Sequence, residues 1–321
     1  MDLKILNEFN FIKSRTDVCN DYFFDCYNVK YDKKDVLSLE LRKEQYSNIE
    51  IPQISAKFKD ELFENLFMLE CIKNASSKEE KFTFVELGAG YGRYSARAFK
   101  IHEKKDVKII AVEADPFHFR MMLKHFKYNN INGPNIETYN NIISNKDSFM
   151  DFYISSKDLK EISNETAKNW FGQSIVHDWE KKINPVPNFF KNLFFYISNF
   201  YKVPFFKYIQ FYQSDFSSIK VKAISLEKLL QNEKKVSLID MDIQGEEINL
   251  VKLGIETLNK KVRAMYIATH SKKIEEEMIK FLEKKNWKLA LYLKGETLNK
   301  TKFGLIQCQD GVQIWENKNL I

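Results

Sequence analysis

The 321-residue sequence is poor in the residues that build disulfide frames, metal knots and flexible linkers. It has four cysteines, no two of them in a Cys-x-x-Cys pair, and only 10 glycines and 6 prolines. These counts exclude a disulfide-rich scaffold, a zinc ribbon and a low-complexity chain. No apolar run approaches the roughly 18 residues that a membrane-spanning helix needs. The polar start after Met1 lacks a signal-peptide pattern, so we expect a reduced, cytoplasmic protein.

A strong charge of one sign is also missing. The formal net charge is +6, and the lysines are spread along the chain. This distribution is typical of solvated faces and does not favour a specific nucleic-acid groove. With 44% hydrophobic residues, the chain can bury one large core, or one core with an appendage.

The most informative stretch runs from Phe84 to Gly92, where a strand-like segment breaks into alternating glycines. Apolar residues precede Glu86, and glycines follow at positions 88, 90 and 92. The Gly-x-Gly-x-x-Gly spacing of dinucleotide sites and the Walker sequence are both missing. A carboxylate at this point would repel phosphates and attract a cationic ligand, such as a sulfonium or an ammonium group. A plain strand–turn–helix corner is the alternative.

A second carboxylate follows the next strand-like run, Val107–Val112. Glu113 lies about twenty residues beyond the glycine turn, where α/β folds hold a nucleoside ribose by its hydroxyls. Asp115 and Pro116 suit the N-cap and first turn of a helix. The alternative is that Glu113 is a solvated charge at a strand end.

Candidate residues for the reaction itself are Asp240, Asp242 and His270. Two carboxylates at alternate positions of a strand point the same way, and the carboxyl ends of strands bind ligands in open α/β sheets. Together with His270 they could ligate a hard divalent cation. Asp242 or His270 could instead act as general base toward an acceptor hydroxyl. The alternative is that Asp242 caps a helix and that His270 is a hydrogen-bonded strand-end residue.

Four blocks of the sequence resemble those of the FkbM-type S-adenosylmethionine-dependent methyltransferases. The blocks are Val85–Ser95, Val112–Pro116, Asn129–Gly133 and Ile239–Glu247. The resemblance runs from about position 82 to 155 and from about 221 to the end. It departs at Ala268, where the family has a Glu two residues before the histidine, so no role of that Glu carries over.

The resemblance implies S-adenosylmethionine as cofactor, with different residues of the site holding its methionine, ribose and adenine parts. Glu86 and the glycine turn would hold the methionine end, Glu113 the ribose, and Asn141 and Ile142 would lie near the adenine. The implied cofactor-binding residues are Glu86, Gly88, Ala89, Gly90, Tyr91, Gly92, Tyr94, Ser95, Glu113, Ala114, Asn141 and Ile142. The candidate catalytic residues Asp240, Asp242 and His270 would face the acceptor.

The family also implies an α/β fold, the Rossmann-like class I methyltransferase fold, with a seven-stranded mostly parallel sheet and a C-terminal antiparallel hairpin. The residues support this independently, because strand-like runs alternate with amphipathic helical runs. The runs are Phe82–Leu87, Val107–Val112, Ile136–Tyr139, Val236–Asp240, Ala264–Ala268 and Trp287–Leu293. Asp310-Gly311, between strand-like residues 303–309 and 312–315, predicts a hairpin whose last strand runs back against its neighbours.

Two segments do not belong to the predicted core, which spans 81–321 and is interrupted by the second of them. Residues 1–80 have helical apolar spacing and predict a helical N-terminal cap, which would shape the acceptor side or a dimer contact. An aromatic-rich insert at about 156–220 is either a second small core, an acceptor-binding lid, a subunit interface or a membrane-surface patch. A homo-oligomer is therefore left open. The candidate substrate-binding residues are Trp170 and Gln173 in the insert and Gln244 in the core.

The sequence therefore leads to the hypothesis of an O-methyltransferase that acts on a hydroxyl of a sugar or surface glycan. The aromatic faces of the insert suit sugar stacking. Amine-directed methyltransferases have an Asn-Pro turn after the fourth core strand, but here the Asn-Pro pair at Asn184 lies in the insert. A nucleic-acid methyltransferase and a non-catalytic scaffold of the same fold are the alternatives.

Overall fold

A computed structural model describes most of the predicted core and part of the N-terminal segment. The described residues are 3–9, 21–25, 27–32, 60–78, 81–101, 106–144, 147–155, 216–302, 304–308 and 310–320. The aromatic-rich insert lies almost entirely outside them, and so do Trp170 and Gln173.

Strands and helices alternate through the described part of the chain, after a short 3-10 helix at Leu3–Glu8. The helices are α1 (Asp60–Ser77), α2 (Arg93–Ile101), α3 (Pro116–Tyr128), α4 (Leu226–Leu229), α5 (Glu247–Lys261) and α6 (Lys272–Glu283). The strands are β1 (Tyr22–Phe24), β2 (Lys30–Asp32), β3 (Phe82–Leu87), β4 (Val107–Val112), β5 (Ile136–Tyr139), β6 (Ile142–Ser144), β7 (Phe149–Ser155), β8 (Phe216–Ser225), β9 (Leu238–Met241), β10 (Ala264–Thr269), β11 (Trp287–Leu293), β12 (Thr297–Thr301), β13 (Gly304–Cys308) and β14 (Gly311–Asn317).

Seven strands form the central sheet, in the order β11-β14-β10-β9-β3-β4-β5. Only β14 is reversed: it runs antiparallel to β10 and β11, whereas the pairs among β10, β9, β3, β4 and β5 are parallel. This confirms the predicted seven-stranded, mostly parallel sheet and its reversed last strand. The register sets Glu86 of β3 opposite Asp240 of β9, so the carboxyl ends of these two strands meet at one edge.

The hairpin predicted around Asp310-Gly311 is wrong. β13 pairs with β12, from Thr297 opposite Cys308 to Thr301 opposite Gly304, in a separate two-stranded sheet. β14 has β10 on one side and β11 on the other, so neither of its edges is free for β13. A C-terminal antiparallel hairpin is therefore present, but it forms one strand earlier than the Asp-Gly pair indicates.

Helices cover both faces of the sheet because its inner strands are apolar on both sides. Every residue of β3 and of β4 is buried. One apolar cluster joins the first face of the sheet to α1, α2 and α3, and a second joins the opposite face to α4, α5 and α6. The result is a three-layer α/β architecture. Within the described segments, no helix is long and apolar enough to cross a membrane.

The described N-terminal residues contain β-structure in addition to helix, since β1 and β2 form an antiparallel pair. A buried ion pair fixes this pair to the core: Arg97 of α2 donates from Nε to Asp25 Oδ2 at 2.8 Å. Tyr31 donates to the same oxygen at 2.9 Å, and the backbone N–H groups of Tyr27 and Val29 donate to Oδ1 at 3.0 Å each. The segment is thus attached to α2 through one fully hydrogen-bonded carboxylate. The division into a cap and a core stays a prediction.

We expect Asp25→Ala to lower the free energy of unfolding by about 3–5 kcal/mol, because it leaves the Arg97 guanidinium buried without its counter-charge. Chemical denaturation measures the change. Asp151→Ala is the matched control, since Asp151 pairs with Lys220 at 2.8 Å on the exposed surface of β7 and β8. It is expected to have little effect. Equal losses from the two variants would contradict a special role for the buried pair.

Candidate functional site

The glycine turn between β3 and α2 is held between the end of β4 and the loop that follows β9. Gly88 and Ala89 donate backbone hydrogen bonds to the carbonyl of Val112, at 3.0 and 2.9 Å. On the other side, the Asp242 N–H donates to the Leu87 carbonyl at 2.9 Å. Gly88 has a φ of +82°, and a Cβ there would lie 1.8 Å from the Asp242 carbonyl oxygen. Only glycine permits this approach of two backbones.

The other two glycines of the turn also have left-handed φ values, but their surroundings differ. A Cβ on Gly92 would lie 2.5 Å from Cε1 of Phe126, so this glycine permits the packing of α3 against the turn. A Cβ on Gly90 would meet nothing within 4 Å among the described residues. The turn therefore offers a bare backbone surface at Gly90 against which a ligand can lie.

Glu86 is buried at the end of β3, directly before this turn. Its Oε2 accepts a hydrogen bond from the Ser95 N–H in the first turn of α2, at 2.9 Å. Burial raises the pKa of Glu86 to about 7, even though the hydrogen bonds from α2 act in the opposite direction. A positively charged ligand would favour the ionised form of such a carboxyl group.

Glu113 is bound to the same turn from the end of β4. Its Oε2 accepts from the Gly90 N–H and its Oε1 from the Asp115 N–H, both at 2.7 Å. Burial raises the pKa of Glu113 to about 8. Asp115 caps α3 as its sequence indicates, accepting from the Phe117 and His118 N–H groups. When Glu113 is ionised, each of its oxygens keeps a lone pair that can accept from a ligand hydroxyl.

The other predicted cofactor residues lie around the turn, except that the side chain of Asn141 is directed away from it and that of its neighbour Asn140 toward it. Ala89 and Tyr91 belong to the turn, and Tyr94 and Ser95 to the first turn of α2. The side chain of Asn141 is directed to β8, where it donates to the Lys222 carbonyl at 3.0 Å. Asn140 instead donates to the carbonyls of Glu113 and Ala114, at 2.9 and 3.1 Å. Ile142 is buried in β6, and Ala114 packs against its apolar cluster.

Asp240 and Asp242, which strand alternation predicts to point the same way, have different environments. Asp240 is buried within β9, whereas Asp242 lies beyond the strand with a side chain that is 53% exposed. Asp240 shares a hydrogen bond with the carboxyl group of Glu64, which reaches over from α1. Burial, and then the charge of Glu86, raises the pKa of Asp240. Two hydrogen-bonded carboxyl groups need a proton between them, so this pair carries less than two negative charges.

His270 connects Asp242 to a carboxylate inside the protein. Its Nδ1 lies 2.8 Å from Glu247 Oε1, and its Nε2 lies 3.3 Å from Asp242 Oδ1. Burial alone would lower the pKa of His270, but the hydrogen bonds to Asp242 and Glu247 outweigh it and raise the pKa to about 11. The ring is therefore a charged donor at neutral pH. In this state it has no lone pair with which to accept a proton.

Asp240, Asp242 and His270, considered above as possible ligands of a divalent cation, are not gathered around a common point. In the described part of the chain, no group of three or more His, Cys, Asp or Glu side chains is arranged to hold a metal ion. The physical reason lies in the partners: Asp240 is bonded to Glu64, and both nitrogens of His270 face carboxylates.

Three residues of the site were missed by the sequence analysis. Asn140 precedes the predicted Asn141, and Glu247 ends the block Ile239–Glu247, so both were close to recognised motifs. Glu64 lies on α1, in a segment predicted only as a cap, and its local sequence gives no sign of the contact with Asp240. Gln244, predicted to bind substrate, donates from Nε2 to Asp242 Oδ1 at 3.3 Å.

Comparison with known proteins gives similarities of fold at low identity. No protein-family model and no curated protein matches the sequence, so the resemblance to the FkbM type stays a prediction. The N-terminal domain of human METTL16 matches with 11% identity over 92% of this chain and 88% of that chain, at a TM-score of 0.39. Methyltransferase FkbM from Methylobacillus flagellatus KT matches with 9% identity over 74% and 43%, at 0.40. A ribosomal protein L11 methylase from Lactobacillus delbrueckii subsp. bulgaricus matches with 8% identity over 79% and 78%, at 0.38. None of these similarities assigns an activity to this chain.

Gly88→Ala is expected to destabilise the protein by several kcal/mol more than Gly90→Ala. Both variants lose about 1–2 kcal/mol of the free energy of unfolding, because they place a side chain in the left-handed backbone region. Only the first forces a Cβ against the Asp242 carbonyl, whereas the second adds its Cβ to open space. Urea unfolding measures the free energy of unfolding of the two variants, and the difference between them isolates the effect of the clash. Equal stabilities would show that the glycine turn and the loop after β9 can separate freely.

Proposed function

We propose that this protein is an S-adenosylmethionine-dependent methyltransferase. The observation that carries the proposal is the pair of buried carboxylates, Glu86 and Glu113, on either side of a glycine turn with an open face at Gly90. A phosphate ligand is disfavoured there, because it would oppose the ionisation of both carboxyl groups, whereas a cation would favour it. A ligand with a cationic centre and a ribose suits both carboxylates and the bare backbone between them.

The residues present fit this cofactor part by part. Glu86 would face the positively charged methionine end, and both oxygens of Glu113 can accept from the ribose hydroxyls. Asn140 would support this contact, because it fixes the backbone of Glu113 and Ala114. When bound, S-adenosylmethionine supplies an electrophilic methyl group on a positively charged sulfur.

For the acceptor, we propose a hydroxyl group that loses its proton to Asp242. Asp242 is the exposed carboxylate of the site, and it lies directly beside the glycine turn through its backbone contact with Gly88. His270 orients this carboxylate and does not act as the base, since its ring already holds both protons. In the transfer, the methyl–oxygen bond would form as the methyl–sulfur bond breaks, which would leave the neutral thioether S-adenosylhomocysteine. The hydroxyl proton would pass to Asp242 and then to water.

A neutral hydroxyl, such as that of a sugar or glycan, suits this edge better than a nucleic acid does. Asp242 is exposed at this edge, so the rim carries a carboxylate. Such a rim repels a phosphate backbone, whose binding depends on cations. The assignment to sugars also rests on the aromatic residues of the insert.

Affinity for S-adenosylmethionine is expected to rise several-fold between about pH 6 and pH 7.5. The pKa of Glu86 is about 7 and that of Glu113 about 8, so both ionise as the pH rises, and the ionised forms attract the cation. Isothermal titration calorimetry measures the dissociation constant. Glu86→Gln should bind weakly with a flatter pH profile, and Gly90→Ala should fold but bind poorly. Absence of binding, or affinity that falls with pH, would refute the cofactor assignment.

We expect the protein to transfer the methyl group of labelled S-adenosylmethionine to glycan hydroxyls and not to RNA or DNA. Purified protein is incubated with each acceptor class, and the methylated product is identified by mass spectrometry. Asp242→Asn should lower kcat by about 10²–10⁴-fold without loss of cofactor binding, because the proton acceptor is removed. Asp151→Asn, on the exposed strand β7, serves as control. Salt-sensitive binding and methylation of RNA would favour the nucleic-acid alternative, and cofactor binding without any transfer would favour the scaffold.

A further inference from the structure

Glu247, the first residue of α5, is completely buried and yet carries a carboxyl group. Its Oε1 accepts from the Gly245 N–H at 2.9 Å and lies 2.8 Å from His270 Nδ1. Its Oε2 is buried without a hydrogen-bond partner among the described residues. A buried oxygen without a partner costs stability, so its retention calls for a reason other than folding.

The same carboxylate organises the loop between β9 and α5. Gln244 and Gly245 both have positive φ, at +55° and +103°, and the bond from the Gly245 N–H to Glu247 closes this bend. Because Asp242 precedes the bend, its position depends on the same bond. Glu247 therefore fixes the acceptor-side loop and the histidine of the next strand with one oxygen atom.

The hydrogen bonds that the described residues make to the Asp242 carboxylate all end on one of its two oxygens. The side chains of His270 and Gln244 both approach Oδ1, each at 3.3 Å. No hydrogen bond from the described residues ends on Oδ2, and the side chain is half exposed. The two donors thus hold one oxygen and leave the other directed to solvent, where a proton can be accepted.

We propose that Glu247 is a positioning residue, which keeps His270 doubly protonated and aims its Nε2–H at Asp242, so that Asp242 presents Oδ2 to the acceptor. Loss of the Glu247 charge would let His270 give up a proton. The neutral ring could then turn its lone pair toward Asp242 and release it. Among the described residues, the titratable groups that contact the ring are Asp242, from the loop after β9, and Glu247, from α5. The role in catalysis rests on the proposed function, whereas the state of the ring does not.

Nitrogen-15 NMR of histidine-labelled protein tests this directly, with the His270 signals assigned from their loss in His270→Asn. In the native protein both ring nitrogens should stay protonated up to about pH 9. In Glu247→Gln, which keeps the side-chain shape and its Oε1 acceptor, the ring should titrate below that pH. Glu246→Gln is the matched control, since Glu246 bonds Asn249 at 2.9 Å and not the histidine. It should leave the His270 spectrum unchanged.

Kinetics add a second readout on the same variants. Glu247→Gln should lower kcat at least about tenfold, leave KM for the cofactor unchanged and shift the pH profile of kcat, whereas Glu246→Gln should do none of these. Should Glu247→Gln fail to fold, Asp242→Asn replaces it: the ring should still bind Glu247 through Nδ1–H and lose its other proton more easily. A native His270 that titrates near pH 6.5, or a His270 spectrum indifferent to Glu247→Gln, would overturn the inference. Failure to bind S-adenosylmethionine would overturn only the proposed function.

Discussion

The backbone contact between Gly88 and Asp242 is the constraint on which the rest of the site depends. The pairing of β3 with β9 places Glu86 opposite Asp240, and the two loops that follow then touch where a Cβ would come within 1.8 Å of a carbonyl oxygen. One loop carries the bare turn at Gly90, and the other carries Asp242. The contact therefore sets the distance between the proposed cofactor and the proposed proton acceptor, and alignment of this kind accounts for much of the barrier reduction in a group transfer.

Burial divides the carboxyl groups of the site into different roles. Glu86 and Glu113 are buried, and their raised pKa values near neutrality make them responsive to a cation. Glu64 and Asp240 share a proton, which limits the charge inside the sheet edge. Asp242 and Glu247 are balanced by the His270 imidazolium between them. Residues of the same type thus differ in charge because their surroundings differ, as they do in enzymes with several acids in one cleft.

Much of the fold follows from the sequence because it depends on local patterns. Alternating apolar strands and helical stripes predicted the sheet, and Glu86, the glycines and Glu113 are adjacent to strand ends that the pattern locates. The hairpin predicted at Asp310-Gly311 is wrong because hairpin propensity is a local signal. The position of β14 is decided instead by β10 and β11, which occupy its two edges. Pairings across long separations in the chain, such as Glu64 with Asp240 and Glu247 with His270, could not be predicted for the same reason. Asn140 and Asn141 differ by a single position, and only the direction of each side chain separates their roles.

The most direct test of the account is a crystal structure of the protein grown with S-adenosylhomocysteine, the demethylated product. We expect density for the nucleoside over Gly90, with both ribose hydroxyls on the Glu113 carboxylate and the sulfur on the side of the turn that faces Asp242. Density elsewhere on the molecule, or a ligand whose ribose makes no contact with Glu113, would contradict it.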